Sequence, residues 1–304
     1  AFNVKEGADR KAMGRLMRLW SNDSSELVEG KSIIGDPQGE MAENPARLTI
    51  TFGYGYSLFQ KLNMESEWPI PQSEIPSYPI DQLEDRWSEG DVIVQISGDN
   101  PQSIFHAALV IKRDAEPFAD VKWQQRGFLD PAGINVDGTS RNLMGQIDGT
   151  ANKAIGSPEF KEIAWGDGDG GTTMVVRRIR INIHAWDTLS TKNKGIVLGR
   201  ELESGEKIES KSATSHVSRA FTNGTAGIIR RGFNYDDNYL ADGTRDAGLI
   251  FISFQAKLKS YLDIQAKLNE VDDLNRWTTP VGSALFYIPA GATSGKYVGQ
   301  SFFE

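Results

Sequence analysis

The sequence predicts an α+β fold made of two ferredoxin-like halves, each with the element order βαββαβ and an antiparallel sheet that helices cover on one face. The chain has 304 residues, a length typical of about two domains. The same succession of strand and helix patterns also runs along it twice. Between the two passes, the glycine-rich residues 166–172 have the composition of a loop. We therefore expect one domain over residues 1–150, a linker over 151–172 and a second domain over 173–304.

Hydrophobic periodicity predicts the elements of the first half. Met13, Leu16 and Trp20 share one face of an amphipathic helix over residues 8–20. Apolar residues alternate with smaller or polar ones along residues 48–54, as in a strand. The other expected elements are a first strand at residues 2–4, a strand at 92–96, a helix that begins at Pro101 and reaches Ile111, and a closing strand at 121–128.

The second half repeats this order of elements. Val175, Ile179 and Ile183 lie on the apolar face of a strand over residues 175–183. The other expected elements are a weakly marked strand at residues 228–233, a buried strand at 249–254, a helix at 258–268 and a closing strand at 284–288.

Composition excludes several classes of protein. The chain contains no Cys, so thiolate zinc sites, iron–sulfur clusters, cysteine nucleophiles and thiolate-ligated haem are excluded. Its formal net charge of −8 argues against a nucleic-acid partner, because phosphate binding needs clustered Lys and Arg. The longest strongly apolar stretch, residues 248–254, is far shorter than the roughly 20 residues that cross a bilayer. Any catalysis therefore depends on other side chains or on a cofactor.

Histidine is scarce, with only three in the chain. His106 lies near the start of a predicted helix, where a partly buried residue is the ordinary interpretation. His184 lies among arginines on the polar face of a predicted strand, where it would be solvated or paired with a carboxylate. His216 follows a polar loop without core periodicity, which makes it the candidate ligand or catalytic base. The spacing of the three does not match a multi-histidine zinc site, whereas haem iron needs only one proximal imidazole.

Three further clusters contain residues that can carry chemistry, and each also has an ordinary interpretation. Gly145-Gln-Ile-Asp-Gly149, followed by Thr150, is on its own a turn in which the aspartate caps backbone amides. Arg230-Arg-Gly-Phe-Asn-Tyr235 is on its own a strand with surface arginines. Asp246 comes just before the buried strand, where it could accept a hydrogen bond from a deeper group or could be an ordinary strand-edge residue.

Together with Ser215-His-Val217, these clusters resemble the dye-decolourising peroxidases, and the pattern is most similar to the A-type class of that family. The resemblance extends over nearly the whole chain and includes residues 46–53, 91–96, 104–107, 126–128 and 176–180. The family has two ferredoxin-like domains of the dimeric α+β barrel superfamily, in agreement with the duplicated pattern. The resemblance implies a peroxidase that holds one haem b per chain, chiefly in the second domain.

The resemblance also implies a role for the main residues of these clusters. His216 corresponds to the proximal iron ligand, and Asp246 corresponds to the carboxylate that accepts the proton of its Nδ1. Asp148 would move a proton between the two oxygens of hydrogen peroxide. Arg230 would stabilise the negative charge that develops as the O–O bond breaks.

Further cofactor contacts are implied by the same resemblance. They are Leu249 and Phe251 over the distal face of the haem, and Gly145, Gly149 and Thr150 in the distal loop. Many relatives carry an Asn-Pro-Arg segment after the proximal histidine, with an arginine that meets a haem propionate, and the run after Ala220 lacks that arginine. Arg219 and Arg231 are the candidates to replace it.

The resemblance predicts a haem peroxidase that uses hydrogen peroxide to oxidise organic donors, such as dyes and phenolics, through a ferryl intermediate. The alternative is a haem-binding or iron-delivery protein of the deferrochelatase kind, with little turnover. A homo-oligomer stays open, and neither nucleic acid nor a membrane span is expected. The chain begins at Ala1 without an initiator Met, which by itself leaves the localisation open. Since the A-type class includes exported bacterial enzymes and no encapsulation tail is evident after Glu304, we expect a secreted or extracytoplasmic protein whose leader has been removed, with a cytoplasmic protein as the alternative.

Overall fold

The computed structural model describes residues 1–129, 140–149, 151–166, 168, 170–208, 212–221 and 227–304. Thr150, one of the residues predicted for the site, lies outside these described residues. Within the described ranges, no helix is both long enough and apolar enough to cross a membrane.

The long helices of the first half begin at polar caps. This half contains β1 (Phe2–Val4), α1 (Arg10–Val28), β2 (Thr49–Tyr54), α2 (Tyr56–Lys61), β3 (Val92–Ser97), α3 (Pro101–Ala115) and β4 (Ala119–Val121). Asp9 caps α1 by accepting a hydrogen bond from the amide of Ala12 at 2.7 Å. Asn100 caps α3 by accepting from the amide of Gln102 at 2.9 Å, directly before Pro101.

The second half contains several helices that the sequence did not predict, and one of them lies in the segment expected to be a linker. Its elements are α4 (Pro158–Ala164), β5 (Thr172–Ile181), α5 (Ile183–Asp187), α6 (Thr191–Leu198), α7 (His216–Ala220), β6 (Ile229–Arg230), β7 (Phe233–Tyr239), β8 (Arg245–Gln255), α8 (Leu258–Glu270), β9 (Thr278–Ile288) and α9 (Gln300–Phe303). Ser157 caps α4 by accepting from the amide of Phe160 at 3.1 Å. The division of the chain into domains at residues 150 and 173 stays a prediction.

Two predicted strands end earlier than expected, because the backbone beyond them takes other partners. β4 ends at Val121, and Phe128 pairs instead with Asn234 of β7 in the second half. β5 ends before Asn182, whose side chain caps α5. His184 therefore lies in a helix and not on a strand.

Over the described ranges, the strands form one nine-stranded sheet in the order β4-β1-β3-β2-β9-β5-β8-β6, and β7 also pairs with β8. Every pairing is antiparallel. In each half, the spatial order is fourth, first, third and second strand, which is the order of a ferredoxin-like βαββαβ unit. The predicted duplication is therefore confirmed. The halves share a sheet because β2 pairs with β9 at Tyr54 and Tyr287.

A segment before β3 adds to the junction between the halves. Residues 82–89 run beside β9, and three of their amides donate to β9 carbonyls between Pro280 and Ser283. The carboxylate of Glu89 accepts a hydrogen bond from the amide of Leu285 at 3.3 Å. Burial raises the pKa of Glu89 to about 7, against the effect of the Leu285 amide, and the charge of Glu74 adds to the rise.

Stability is therefore expected to fall as Glu89 ionises. Because the pKa is raised in the folded chain, the free energy of unfolding loses up to about 1.4 kcal/mol per pH unit from this group between pH 4.5 and about 7. Glu89→Gln should unfold at the same denaturant concentration as the wild type near pH 4 and at a higher one at pH 8. Glu6→Gln, at an exposed position, is the control. A Glu89→Gln chain that is no more stable than the wild type at pH 8 would contradict this expectation.

The sheet of the second half has two different faces. One face carries Val175, Phe251 and Leu285, and α8 packs Leu258 and Tyr261 against it; we call it the helix face. The opposite face carries a separate apolar cluster made of Met174, Val176, Ile250, Ile252, Ala284 and Phe286. Successive side chains of a strand alternate between faces, so even and odd positions along β8 serve different environments.

Candidate functional site

Arg230 lies on the helix face together with two apolar residues of β8. Arg230 is paired with Ser253, and directly opposed residues of antiparallel strands point to the same face. Ser253 shares its face of β8 with Leu249 and Phe251, because they lie four and two positions away, and both of these residues are half-buried. The ring of Phe251 lies 6.1 Å from the ring of Tyr261 on α8. Arg230 therefore lies on the helix face beside apolar side chains, and the guanidinium that β5 places on this face, that of Arg177 opposite Phe251, is already paired with Asp81.

The loop before α4 brings Asp148 to Arg230. Nη2 of Arg230 donates to Oδ1 of Asp148, although the two residues are 82 positions apart in the chain. The same oxygen accepts a hydrogen bond from the amide of Gly149 at 2.7 Å. The side chain of Arg230 is 30% exposed and that of Asp148 is 20% exposed. The ion pair is therefore mostly buried, but enough of it is exposed for a small molecule to reach it.

The conformation of this loop is fixed from several directions. Gly145 and Gly149 both have φ of 81°, a backbone conformation that suits glycine. The guanidinium of Arg141 donates to the carbonyl of Gly145 at 2.7 Å and to two carbonyls of the hairpin that follows α6. Asn234 of β7 accepts from the amide of Leu143 at 3.1 Å. The loop that carries Asp148 is therefore tied to the sheet and to the α6 hairpin.

His216 is the first residue of α7, and a carboxylate from far along the chain orients its ring. Nδ1 of His216 lies 2.7 Å from Oδ2 of Asp272, whose side chain is 3% exposed. Oδ1 of Asp272 accepts from the amide of Leu274 at 2.9 Å. Nearby, the hydroxyl of Thr214 donates to Asp273 at 2.7 Å. A carboxylate only accepts hydrogen bonds, so it assigns the proton of the neutral imidazole to Nδ1 and leaves the lone pair on Nε2.

Asp246 does not orient His216, and the expectation that it accepts the Nδ1 proton is wrong. Its carboxylate accepts hydrogen bonds of 3.0 to 3.1 Å from Arg178 and Arg180 on the opposite face of the sheet. Burial would raise the pKa of Asp246, but these hydrogen bonds outweigh it and hold that pKa below its ordinary value. The guanidinium of Arg178 also lies 4.5 Å from the ring of Trp87 and 4.0 Å from that of Tyr235. Asp246 is thus part of a structural ionic cluster.

The two arginines considered for a propionate contact differ in their surroundings. Arg219 donates to the carbonyl of Lys267 at 3.0 and 3.2 Å and pairs with Glu270. It therefore ties α7 to α8, and the role of a free cation does not fit it. The side chain of Arg231 is exposed, and within the described ranges its guanidinium has no hydrogen bond or ion pair. Arg231 keeps its place as the candidate.

The end of α6 connects the histidine to the ion pair. A Cβ at Gly199 would lie 2.6 Å from the hydroxyl of Ser215, the residue before His216. Burial lowers the pKa of the next residue, Arg200, and the nearby charge of Arg230 lowers it further. One short segment therefore lies close both to the residues that flank His216 and to Arg230 of the ion pair.

Two residues of this site, Asp272 and Asn152, were not found from the sequence. Asp272 belongs to no motif, and its one local signal is the pattern of a capped turn, an aspartate followed two positions later by a buried Leu274. Asn152 follows the Gly-x-x-Asp-Gly turn and looks like an ordinary polar loop residue. Its amide nevertheless bonds to both backbone groups of Arg230, at 2.8 and 2.7 Å.

The site can therefore combine two kinds of chemistry. An imidazole nitrogen with a free lone pair and a buried carboxylate behind it is a suitable axial ligand for iron. An aspartate paired with an arginine can move a proton and stabilise a negative charge. Among the residues that the structure describes, no group of three or more His, Asp and Glu side chains converges as a metal site.

Known proteins match this chain over most of its length. The family model described as Dyp-type peroxidase, N-terminal, matches residues 1–129, and the model described as Dyp-type peroxidase, C-terminal, matches residues 139–293. A dye-decolorizing peroxidase of Thermobifida fusca (strain YX) is 32% identical over 332 aligned positions, which cover 97% of this chain and 76% of that protein.

Solved structures give the same result. A DyP-type peroxidase from Cellulomonas bogoriensis superposes with a TM-score of 0.93 at 34% identity, covering 100% of this chain and 92% of that one. Ferric DtpA from Streptomyces lividans superposes with a TM-score of 0.92 at 34% identity, covering 100% of this chain and 90% of that one.

Proposed function

The chain belongs to the Dyp-type peroxidase family and is a haem peroxidase, and we propose that His216 binds its iron while Asp148 and Arg230 activate hydrogen peroxide. The observation that carries this assignment is the Asp148–Arg230 pair on the helix face. The end of α6 lies close to Arg230 of this pair and also to the residues that flank His216, whose Nδ1 is hydrogen-bonded to Asp272. The ion pair can move a proton and stabilise negative charge, and the imidazole can bind iron.

The described side chains fit haem. Nε2 of His216 has no hydrogen-bond partner among the described residues, while Nδ1 is held by Asp272. One protein ligand suffices when a porphyrin supplies the equatorial nitrogens. Leu249 and Phe251 offer apolar surface on the face that carries Arg230. Arg231 is an unpaired cation among the described residues and suits a carboxylate such as a propionate.

Asp272 tunes the histidine. By accepting a hydrogen bond from the Nδ1–H group, it fixes the ring plane and adds electron density to Nε2, which makes the imidazole a stronger donor to iron. The charge of this carboxylate is itself held in place, because Leu274 donates to its second oxygen. Haem, when bound, supplies the iron at which peroxide is cleaved and the electrons for that cleavage.

Asp148 and Arg230 act on hydrogen peroxide itself. Oδ1 or Oδ2 of Asp148 accepts the proton of one peroxide oxygen and returns it to the other, which leaves as water. The guanidinium of Arg230 is always charged and stabilises the negative charge on the departing oxygen. Gly149 donates its amide to the same carboxylate, so the aspartate is oriented before the substrate arrives. Reducing equivalents then come from an organic donor such as a dye or a phenol.

The proposal is tested by the absorption spectrum of the purified chain. Haem-loaded protein should show a Soret band that changes after one equivalent of hydrogen peroxide, and it should then oxidise an anthraquinone dye in repeated turnover. A chain that cannot be loaded with haemin would sink the assignment. Haem binding without dye oxidation would favour the alternative of a haem-binding or iron-delivery protein.

Asp272 and Asp246 make a matched pair of variants. An asparagine has one acceptor oxygen, so in Asp272→Asn either the His216 ring or the Leu274 amide loses its partner. We expect haem affinity to fall about 10- to 100-fold and the iron reduction potential to rise. Asp246→Asn should lower the stability of the fold, because it weakens the pairing of Arg178 and Arg180, without changing that potential. The reverse pattern of potentials would contradict the assignment of Asp272.

A further inference from the structure

We infer that Asn152 is a positioning residue of the distal site, which holds the backbone of Arg230 so that its guanidinium meets Asp148. This inference rests on the proposed function, because it assigns Asn152 an effect on peroxide through Arg230. Within the part of the chain that the structure describes, Asn152 itself forms no hydrogen bond with the carboxylate of Asp148 or with the guanidinium of Arg230.

The backbone of Arg230 lies at an edge of the sheet. The amide of Arg231 donates to the carbonyl of Ile252 on β8 at 2.8 Å. In an antiparallel pair, alternate residues bond to the partner strand, so the N–H and C=O of Arg230 point away from β8. β6 is the last strand in the sheet order. These two groups therefore lie at an open edge and need another partner.

Asn152 supplies that partner with both ends of its amide. Oδ1 of Asn152 accepts from the Arg230 amide at 2.8 Å, and Nδ2 donates to the Arg230 carbonyl at 2.7 Å. The side chain thus takes the place of a neighbouring strand at this single residue. Two hydrogen bonds in opposite directions fix the position of the Arg230 backbone and also its rotation about the strand axis.

A closed ring of hydrogen bonds joins Asn152 to Asp148 and Arg230. The backbone amide of Asn152 donates to the carbonyl of Gly149 at 3.0 Å, and the backbone amide of Gly149 donates to Oδ1 of Asp148 at 2.7 Å. The guanidinium of Arg230 closes the ring at the same oxygen. Asn152 is therefore linked to both members of the pair, to Arg230 through its side chain and to Asp148 through Gly149. Groups that must meet a small substrate lose much of their effect when they are displaced by about 1 Å.

Asn152→Ala removes both contacts to Arg230 without adding a charge. We expect it to bind haem with a normal Soret band and to react with hydrogen peroxide about tenfold more slowly or worse, seen as a higher KM for peroxide. Asn193→Ala, at an exposed position of α6, is the control and should react like the wild type. An Asn152→Ala chain that reacts with peroxide within about twofold of the wild type would overturn the inference.

A double-mutant cycle separates positioning from a general loss of structure. If Asn152 acts through Arg230, then Asn152→Ala should change the peroxide rate by less than about twofold in an Arg230→Leu background. A full tenfold loss in that background would overturn the inference. If Arg230→Leu alone leaves the rate unchanged, the proposed function of Arg230 fails, and the inference fails with it. If Arg230→Leu is slow and Asn152→Ala is not, the inference alone fails.

Asn152→Asp gives a second test that does not depend on the folding of the alanine variant. A protonated carboxyl has one donor and one acceptor, like the amide, whereas a carboxylate can only accept and would face the Arg230 carbonyl. The peroxide rate relative to the wild type should therefore approach one as the pH falls from 7 towards 4, and it should drop by about tenfold as the introduced carboxyl ionises. A ratio that does not change with pH would overturn the inference.

Discussion

Leucine in place of Arg230 is expected to slow the reaction with hydrogen peroxide by about 100- to 1000-fold while haem stays bound. Leucine is close in size to the buried part of arginine but carries no charge, so the developing negative charge on the leaving oxygen loses its stabilising partner. It also frees Asp148 from its ion pair. The measurement is the second-order rate of the spectral change after mixing with peroxide, at matched haem content.

Two further variants define this effect. Arg245→Leu removes a different ion pair, with Asp236, at the start of β8, and it should react with peroxide at the wild-type rate. Asp148→Asn keeps the shape of the aspartate but cannot carry the proton between oxygens, so it should also be slow. If Arg230→Leu reacts with peroxide as fast as Arg245→Leu, then charge stabilisation by Arg230 does not contribute.

Removal of the imidazole in His216→Ala is expected to abolish axial ligation of the iron. The haem content should fall severalfold, and the Soret band of any bound haem should shift, because no other described side chain replaces Nε2. Free imidazole added to the variant should restore part of the wild-type spectrum, since the space and the acceptor Asp272 are both still present. His184→Ala, an exposed residue of α5, should leave the spectrum unchanged. A wild-type Soret band in His216→Ala without added imidazole would rule out the assigned ligand.

Periodicity predicted the architecture well because it reports which side chains are buried. The stripe of Met13, Leu16 and Trp20 is fully buried in α1. Alternating or continuous apolar residues mark most strands of both halves in the same way. The ends of elements were less predictable. β5 ends before Asn182 because a side-chain cap redirects the chain, and β4 ends at Val121 because the chain crosses to another strand. The first of these ends depends on a local cap, whereas the second depends on a partner that is distant in sequence.

Residues of the site that belong to a local motif could be predicted, whereas those that act across the fold could not. Asp148, Arg230 and His216 were identified by motif, and the structure brings Asp148 into contact with Arg230, while their roles stay predictions. Asp246 was assigned wrongly although the sequence contained a warning. Along a strand, position 246 shares its face with even-numbered residues and not with Leu249, so it points away from the face of the pair. Its true partners also lie at even positions of β5.

The pairing of His216 with Asp272 has a consequence for the order in which the protein is made. These residues are 56 positions apart, and Asp148 and Arg230 are 82 positions apart. No local segment can assemble either pair, and contacts over such separations form late in folding. On the ribosome, the histidine emerges well before the carboxylate that orients it. A nascent chain that has not reached residue 272 therefore lacks the carboxylate that orients the His216 ring, and we expect it to bind haem more weakly than the complete chain.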